Sequence, residues 1–174
     1  MKVFLTVGTT EFNELLETID SIVFVTMLCT MGCTKFVVQI GRGTHIPHEL
    51  LNEGVKRGIN SSYYLFKDTL MADMEEADLI ISHCGAGSIL EAMQLKKLLI
   101  LVINPSLQGN HQVEIATAMQ QGNYCLCCNP ENFFQTLEQV CLHGVKSLKE
   151  SLKRYPEPDL TAFPSLIDGL FRWK

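Results

Sequence analysis

The chain has 174 residues, of which 47% are hydrophobic and 19% are charged, a composition that suits one globular domain with a sizeable core. Its formal net charge of −5 argues against a nucleic-acid-binding protein, which would be expected to show a basic face. The longest apolar stretch, residues 22–31, is too short to span a bilayer, and no secretory signal is visible at the start.

The first half of the chain alternates between strand and helix patterns. We predict, in chain order, a strand at 3–7, a helix from 12 to about 31, a strand at 35–40, a short helix from about 48 to 56, a strand at 62–66 and a helix from about 69 to 77. A polar turn, Gly8–Thr10, follows the first strand.

The second half repeats the alternation. It predicts a strand at 79–81, a helix at 89–95, a strand at 98–103, a helix from about 111 to 121, a strand at 124–127 and a helix from 131 to 146. This order is typical of an α/β fold, a Rossmann-like, mostly parallel sheet with helices on both faces. We assign residues 1–150 to this domain and residues 151–174 to a proline-containing break and an amphipathic tail.

Metal and disulfide sites are not indicated. The seven cysteines are odd in number and scattered, and no pair of Cys-x-x-Cys units occurs, which favours reduced core thiols over zinc ligands. His45-x-x-His48 is a weak metal pattern that a loop beside a strand end explains equally well. The chain also lacks the GxGxxG, GxxxxGK[ST] and GxSxG patterns, which argues against a dehydrogenase, a P-loop NTPase and an α/β-hydrolase.

The most informative stretch is Ser82–Glu91, which joins a predicted buried strand to a predicted helix. Gly85 and Gly87 leave room for a ligand near the backbone, and the helix start offers unpaired N–H groups that suit a phosphate. His83 adds a ring donor and Glu91 a carboxylate. The same letters also fit a capping box, with Ser88 as the N-cap and Glu91 as its partner, so both interpretations stay open here.

A second polar cluster, Gln108–Gln112, follows the next strand and is expected at the same edge of the sheet. The amides of Asn110 and Gln112 can donate to and accept from sugar hydroxyls. Alternatively, Asn110 is only the cap of the following helix.

These motifs resemble a known family. The segment Ser82–Glu91 is similar to the nucleotide-sugar loop of GT-B glycosyltransferases, and plant UDP-sugar transferases carry a similar His-Cys-Gly-x-x-Ser-x-x-Glu pattern. Together with Thr6–Thr10, Gln39–Thr44 and Asn110–Gln112, it more closely resembles the soluble subunits of the dolichol-pathway UDP-N-acetylglucosamine transferase, which are similar to the C-terminal half of the bacterial lipid II N-acetylglucosaminyltransferase. The resemblance covers residues 1–145 and implies one half of a GT-B enzyme.

The resemblance also implies a UDP-sugar site. His83 and the Gly85–Ser88 backbone would hold the diphosphate, with Glu91 on the ribose and Gln112 near the sugar. Leu65–Lys67 would lie against the uracil, and Arg42 would face phosphate or acceptor. Ala86 replaces a bulky residue of the plant enzymes, so their sugar contacts do not transfer. The full expected site comprises Gly8, Thr9, Thr10, Arg42, Phe66, Lys67, His83, Gly85, Ala86, Gly87, Ser88, Glu91, Asn110 and Gln112.

The implied reaction is inverting transfer of N-acetylglucosamine (GlcNAc) from UDP-GlcNAc to GlcNAc-diphospho-dolichol, without a metal or another cofactor. The implied partner is a membrane-anchored subunit that binds the dolichol-linked acceptor and supplies the general base, which would recruit a cytoplasmic chain to the cytosolic face of the endoplasmic reticulum. Leu166, Ile167, Leu170 and Phe171, beside Trp173, are the docking candidate, although this tail could equally fold back onto its own domain. Alternatives are another UDP-sugar transferase or epimerase, or a non-catalytic nucleotide-sugar-binding module.

Overall fold

A computed structural model describes residues 1–106 and 111–156 of the chain. Within these residues a six-stranded parallel sheet has the order β3-β2-β1-β4-β5-β6. The strands are β1 (Lys2–Thr6), β2 (Lys35–Gln39), β3 (Asn60–Tyr64), β4 (Leu79–His83), β5 (Leu98–Val102) and β6 (Leu126–Cys128). The predicted Rossmann-like, parallel architecture is confirmed.

Helices cover both faces of the sheet, as predicted. They are α1 (Asn13–Ile19), α2 (Ile22–Thr30), α3 (His48–Lys56), α4 (Met71–Glu76), α5 (Ala86–Gln94), α6 (His111–Gln121), α7 (Phe133–His143) and α8 (Val145–Ser151). Because successive strand side chains point to opposite faces, Leu5 packs in a core with Phe24 and Phe133, whereas Phe4 packs in a second core with Met74. The helices α1, α2, α3 and α7 therefore cover one face, and α4, α5 and α6 cover the other.

The strand order places the candidate site. The chain builds the sheet outward from β1 to β3 and then returns to add β4 on the other side of β1. In doubly wound sheets, ligands bind beyond the carboxyl ends of the strands at such a reversal. The loops after β1 and β4 thus lie side by side at the position expected for a ligand.

The single helix predicted from residue 12 to about 31 is wrong, because the chain turns at Asp20–Ser21 and forms α1 and α2. The side chain of Asp20 accepts from the Leu50 backbone N–H at 2.8 Å and contacts Nε2 of His45 at 2.9 Å. The Ser21 hydroxyl accepts from the Phe24 backbone N–H at the start of α2. The helical spacing of apolar residues continues across this corner because both helices bury apolar faces in the same core. The contact with Asp20 also gives His45 a structural partner.

Other boundaries also differ from the sequence prediction: β6 begins at Leu126, two residues later than predicted, and α5 begins at Ala86, three residues earlier. Gly144, with φ of 76°, separates α7 from α8 where one helix at 131–146 was expected. β3 begins at Asn60, two residues earlier than predicted, since its polar first residues gave no apolar strand signal at this edge of the sheet. Leu65 and Phe66 consequently leave the strand and enter the loop, where each is about half exposed.

The amphipathic tail and its docking hypothesis fall in residues 157–174, outside the described residues, so they remain predictions. In the part of the chain that the structure describes, every helix is too short or too polar to traverse a lipid bilayer.

Candidate UDP-sugar site

A cleft of about 370 Å³ opens at the carboxyl edge of the sheet. It collects residues from the loops after β1, β3 and β4 and from the first turns of α5. Its lining comprises Gly8, Thr9, Gln39, Phe66, Lys67, Asp68, Thr69, Leu70, His83, Gly85, Ala86, Gly87, Ser88 and Glu91. Most of the residues expected from the sequence therefore meet around one space.

The imidazole of His83 fills the floor of this cleft between two glycines. A Cβ atom on Gly8 would lie 2.3 Å from Cε1 of His83, and one on Gly85 would lie 2.3 Å from its Nε2. Both distances are far below van der Waals contact, so any larger residue at either position would displace the ring. Gly8 also has φ of +63°, a conformation that favours glycine.

His83 is buried, and the hydrogen bonding of its ring is incomplete. Its side chain is 6% exposed, and within the described residues Nδ1 has no hydrogen-bond partner. Burial lowers the pKa of His83 from its usual value of 6.5, and the backbone carbonyl of Thr6 opposes this shift. The free chain thus holds a neutral imidazole at neutral pH, next to a space where an anion would favour the protonated form.

The structure tests one of the two interpretations of the glycine loop, the capping box. Helix α5 begins at Ala86 with Gly85 as its N-cap, so Ser88 lies inside the first turn and cannot act as the N-cap. The capping-box interpretation is therefore wrong, and Glu91 does not serve to hold the helix start. Glu91 lines the cleft beside the first turn of α5, whose amides have no partner within the helix itself, and its contact with a ligand remains a prediction.

Gly87 is not required by packing within the described chain. Apart from its chain neighbours and the backbone of its own helix, a Cβ atom at this position would meet no described atom within 4 Å, although Gly87 lines the cleft. A helical glycine costs roughly 0.5–1 kcal/mol relative to alanine. The open space above it fits the close approach of a ligand to the helix N-terminus.

The loop after β3 forms the opposite wall. Phe66 presents exposed apolar surface there, whereas Leu65 is exposed but is not among the residues that line the cleft. Two contacts hold the Lys67 side chain in place. Its Nζ lies 2.7 Å from Oδ2 of Asp73 and 4.1 Å from the ring centroid of Tyr64. Oδ2 of Asp73 also accepts from the Tyr64 hydroxyl at 2.7 Å. Burial and, to a smaller extent, the Asp73 carboxylate raise the pKa of Tyr64.

Several expected residues lie elsewhere. Thr10 donates its hydroxyl proton to the Val7 carbonyl at 2.8 Å, and Arg42 is exposed outside the cleft lining. Gln112 is 4% exposed, and its Oε1 accepts from the Asn104 backbone N–H at 3.1 Å. Asn110 lies outside the described residues. The ligand contacts proposed for these four residues remain predictions.

Sequence reasoning missed four residues of the cleft. The sequence pattern predicts Thr69 and Leu70 in the first turn of a helix, with Asp68 before it, whereas all three residues extend the wall that begins with Phe66. Gln39 belongs to the motif Gln39–Thr44, but no role in the site was predicted for it. The signal for Gln39 was its position, since it is a polar residue at the end of the apolar run 36–38 and it is only 2% exposed.

The residues that line the cleft are suited to bind an anion directly through protein groups. Across residues 1–106 and 111–156, no three His, Cys, Asp or Glu side chains are grouped to hold a metal ion. The cleft instead offers helix amides, the His83 imidazole, the Lys67 ammonium and the carboxylates of Asp68 and Glu91, a set that can bind phosphate oxygens and vicinal hydroxyls.

Structural comparison agrees with the fold. An NMR solution structure of ALG13 matches with a TM-score of 0.61 and 24% identity, over 97% of this chain and 94% of that chain. The crystal structure of Acinetobacter baumannii MurG matches with a TM-score of 0.67 and 16% identity, over 97% of this chain but 49% of MurG. At these identities the two matches establish the fold, which corresponds to about half of MurG.

Sequence comparison gives the family. The chain is 39% identical over 128 residues to the human UDP-N-acetylglucosamine transferase subunit ALG13 and 37% identical over 162 residues to that of Yarrowia lipolytica. These alignments cover 72% and 92% of this chain, but 11% of the human and 79% of the Yarrowia protein. The model of the glycosyltransferase family 28 C-terminal domain matches residues 2–168. The resemblance predicted from the motifs is confirmed: the chain belongs to the glycosyltransferase family 28 C-terminal domain family.

Proposed function

We propose that this chain is the UDP-GlcNAc-binding subunit of a transferase that adds the second GlcNAc to GlcNAc-diphospho-dolichol. The observation that carries the proposal is the cleft in which His83, the first turn of α5 and Glu91 meet at the switch point of the sheet. The relatives named as UDP-N-acetylglucosamine transferase subunits support the same donor.

The roles of the residues follow from their chemistry. The first-turn amides of α5 and the His83 ring bind the diphosphate, and Glu91 accepts from the ribose hydroxyls. Leu65 and Phe66 lie against the uracil. When the acceptor hydroxyl attacks the anomeric carbon with inversion, the departing UDP gains charge at the diphosphate, where the helix terminus and His83 stabilise it.

A partner subunit completes the active site in this proposal. GT-B reactions take place in a cleft between two nucleotide-fold domains, and the match to about half of MurG is consistent with one such domain. The word "subunit" in the relatives' names points the same way. The partner would supply the general base, the lipid acceptor and the membrane anchor, and would hold this chain at the cytosolic face of the endoplasmic reticulum.

Reconstitution tests this function. Calorimetry should show that the purified chain binds UDP, whereas labelled UDP-GlcNAc and a short-lipid GlcNAc-diphosphate acceptor should give product only after the membrane-anchored partner is added. Sugar transfer by the isolated chain would refute the requirement for a partner. Release of an epimerised sugar, or of product with a different acceptor only, would favour the alternative enzymes. Absence of transfer with the partner present would favour a non-catalytic nucleotide-sugar-binding module.

A further inference from the structure

Gln39 ends β2 between the two loops that form opposite walls of the cleft. It pairs in register with Thr6 at the end of β1 and with Tyr64 at the end of β3. Its side chain is 2% exposed and reaches the floor of the cleft. The buried amide of Gln39 thus lies between the loop after β1, on the proposed diphosphate side of the cleft, and the loop after β3, on the proposed uracil side.

The amide of Gln39 uses all of its hydrogen-bonding capacity. Nε2 donates to the Gly8 carbonyl and to the Leu65 carbonyl, each at 2.7 Å. Oε1 accepts from the Gly8 backbone N–H at 2.9 Å and from the Thr6 hydroxyl. An amide carries two donor protons and two acceptor sites, so none remains for a ligand.

The bonds to Gly8 fix the residue that makes room for His83. Gln39 bonds to both polar backbone groups of Gly8, and the Thr6 hydroxyl also accepts from its N–H at 3.0 Å. These bonds maintain the left-handed conformation of Gly8. Gly8 lies directly against the His83 ring. A change in the backbone conformation of Gly8 would therefore change the space that is available to the imidazole. The bond to Leu65 holds the other wall in the same way, one residue before Phe66.

We infer that Gln39 is a positioning residue. It sets the spacing between the diphosphate-binding wall and the uracil-binding wall of the cleft without touching the nucleotide. This inference rests on the proposed function for the identity of the ligand. It predicts that loss of the amide reduces UDP affinity through Gly8 and Leu65, even when the domain stays folded.

The test compares two variants of the full chain. Gln39→Met retains length and apolar stem but removes the amide's bonds to Gly8 and Leu65. The Gly8 N–H keeps the Thr6 hydroxyl at 3.0 Å and the Leu65 carbonyl keeps the Gly41 N–H at 3.2 Å, whereas the Gly8 carbonyl loses its bond from the amide. We expect UDP affinity to fall about tenfold. Val38→Ala, one residue earlier, truncates a side chain with 0% exposure that packs in the core with Leu5 and Ile40. It should lower the melting temperature while leaving UDP affinity nearly unchanged in the folded protein.

A double-mutant cycle distinguishes positioning from general destabilisation. If Gln39 acts through Gly8 on His83, the losses of UDP affinity in Gln39→Met and His83→Ala should be markedly less than additive in the double variant. Equal UDP affinity in Gln39→Met and the unmodified chain would overturn the inference, as would an equal loss in Val38→Ala.

A measurement on the unmodified chain covers the case in which Gln39→Met does not fold. NMR should show slow exchange of the Gln39 side-chain amide protons and of the Gly8 backbone amide. Fast exchange of both would also overturn the inference. If the unmodified chain fails to bind UDP although these amides are protected, the proposed ligand is wrong while the structural role of Gln39 stands.

Discussion

A Cβ atom on Gly8 would lie 2.3 Å from Cε1 of His83, so the turn after β1 and the histidine at the end of β4 occupy one shared space. The two residues are distant in sequence, but β1 and β4 are adjacent strands. The glycine therefore serves two needs, a positive φ and the volume of an imidazole. This contact makes the loop after β1 part of the His83 environment.

The two glycines Gly8 and Gly87 should respond oppositely to alanine. Gly87→Ala places a methyl group in open space within a helix, so the free energy of unfolding should stay equal or rise by about 0.5–1 kcal/mol. UDP affinity should fall, since the methyl group blocks approach to the first-turn amides.

Gly8→Ala should instead destabilise the domain by about 1–2 kcal/mol or more, because it combines a left-handed backbone with a collision against His83. Thermal melts and UDP calorimetry on both variants check the pair. Full UDP affinity in Gly87→Ala would show that the ligand does not approach this part of α5.

Glu91→Gln tests the ribose contact. Since Glu91 does not cap α5, the melting temperature should change little, whereas UDP affinity should weaken by about 1.5–3 kcal/mol, the range for hydrogen bonds to charged groups. The matched control is Glu138→Gln, an exposed change on α7 at the opposite face of the sheet. Calorimetry that gives the same UDP affinity for both variants and the unmodified chain would remove Glu91 from the site.

The buried His83 should make the free chain sensitive to acid. Its pKa is lowered in the folded state by burial, so the unfolded chain binds its proton first as the pH falls. The stabilisation by neutral His83 is complete above about pH 6.5, the usual value, and is lost as the pH falls through the folded pKa.

Chemical denaturation between pH 7.5 and 5 should therefore show a steeper loss of unfolding free energy for the unmodified chain than for His83→Gln, which keeps a polar side chain that does not titrate. Parallel pH profiles would indicate that His83 is protonated equally easily in both states.

Transfer by the assembled enzyme should survive EDTA. The sequence contains no Asp-x-Asp pattern, and the cleft supplies helix amides and His83 to the diphosphate. The rate of GlcNAc transfer with and without EDTA is the measurement. A complete loss of activity that manganese or magnesium restores would contradict the proposed chemistry of the site.

The sequence alone determined the fold class and predicted most of the residues that line the candidate cleft. Strands such as β4 and β5 were recognisable because central parallel strands are buried on both faces and read as unbroken apolar runs. The glycine loop between β4 and α5 was recognisable because its residue types match the needs of a phosphate site at a strand-to-helix turn. These signals are local, so a short stretch of sequence is enough to reveal them.

Only the tertiary structure decided the remaining features. The corner at Asp20 depends on bonds to His45 and Leu50, which are remote in sequence, and the position of Gln39 has meaning only once β1 and β3 flank β2. Whether Ser88 or Gly85 caps α5 was equally undecidable from the letters, since a capping box and a ligand-binding turn share the same pattern. In each case the deciding contacts join segments that only the folded sheet brings together.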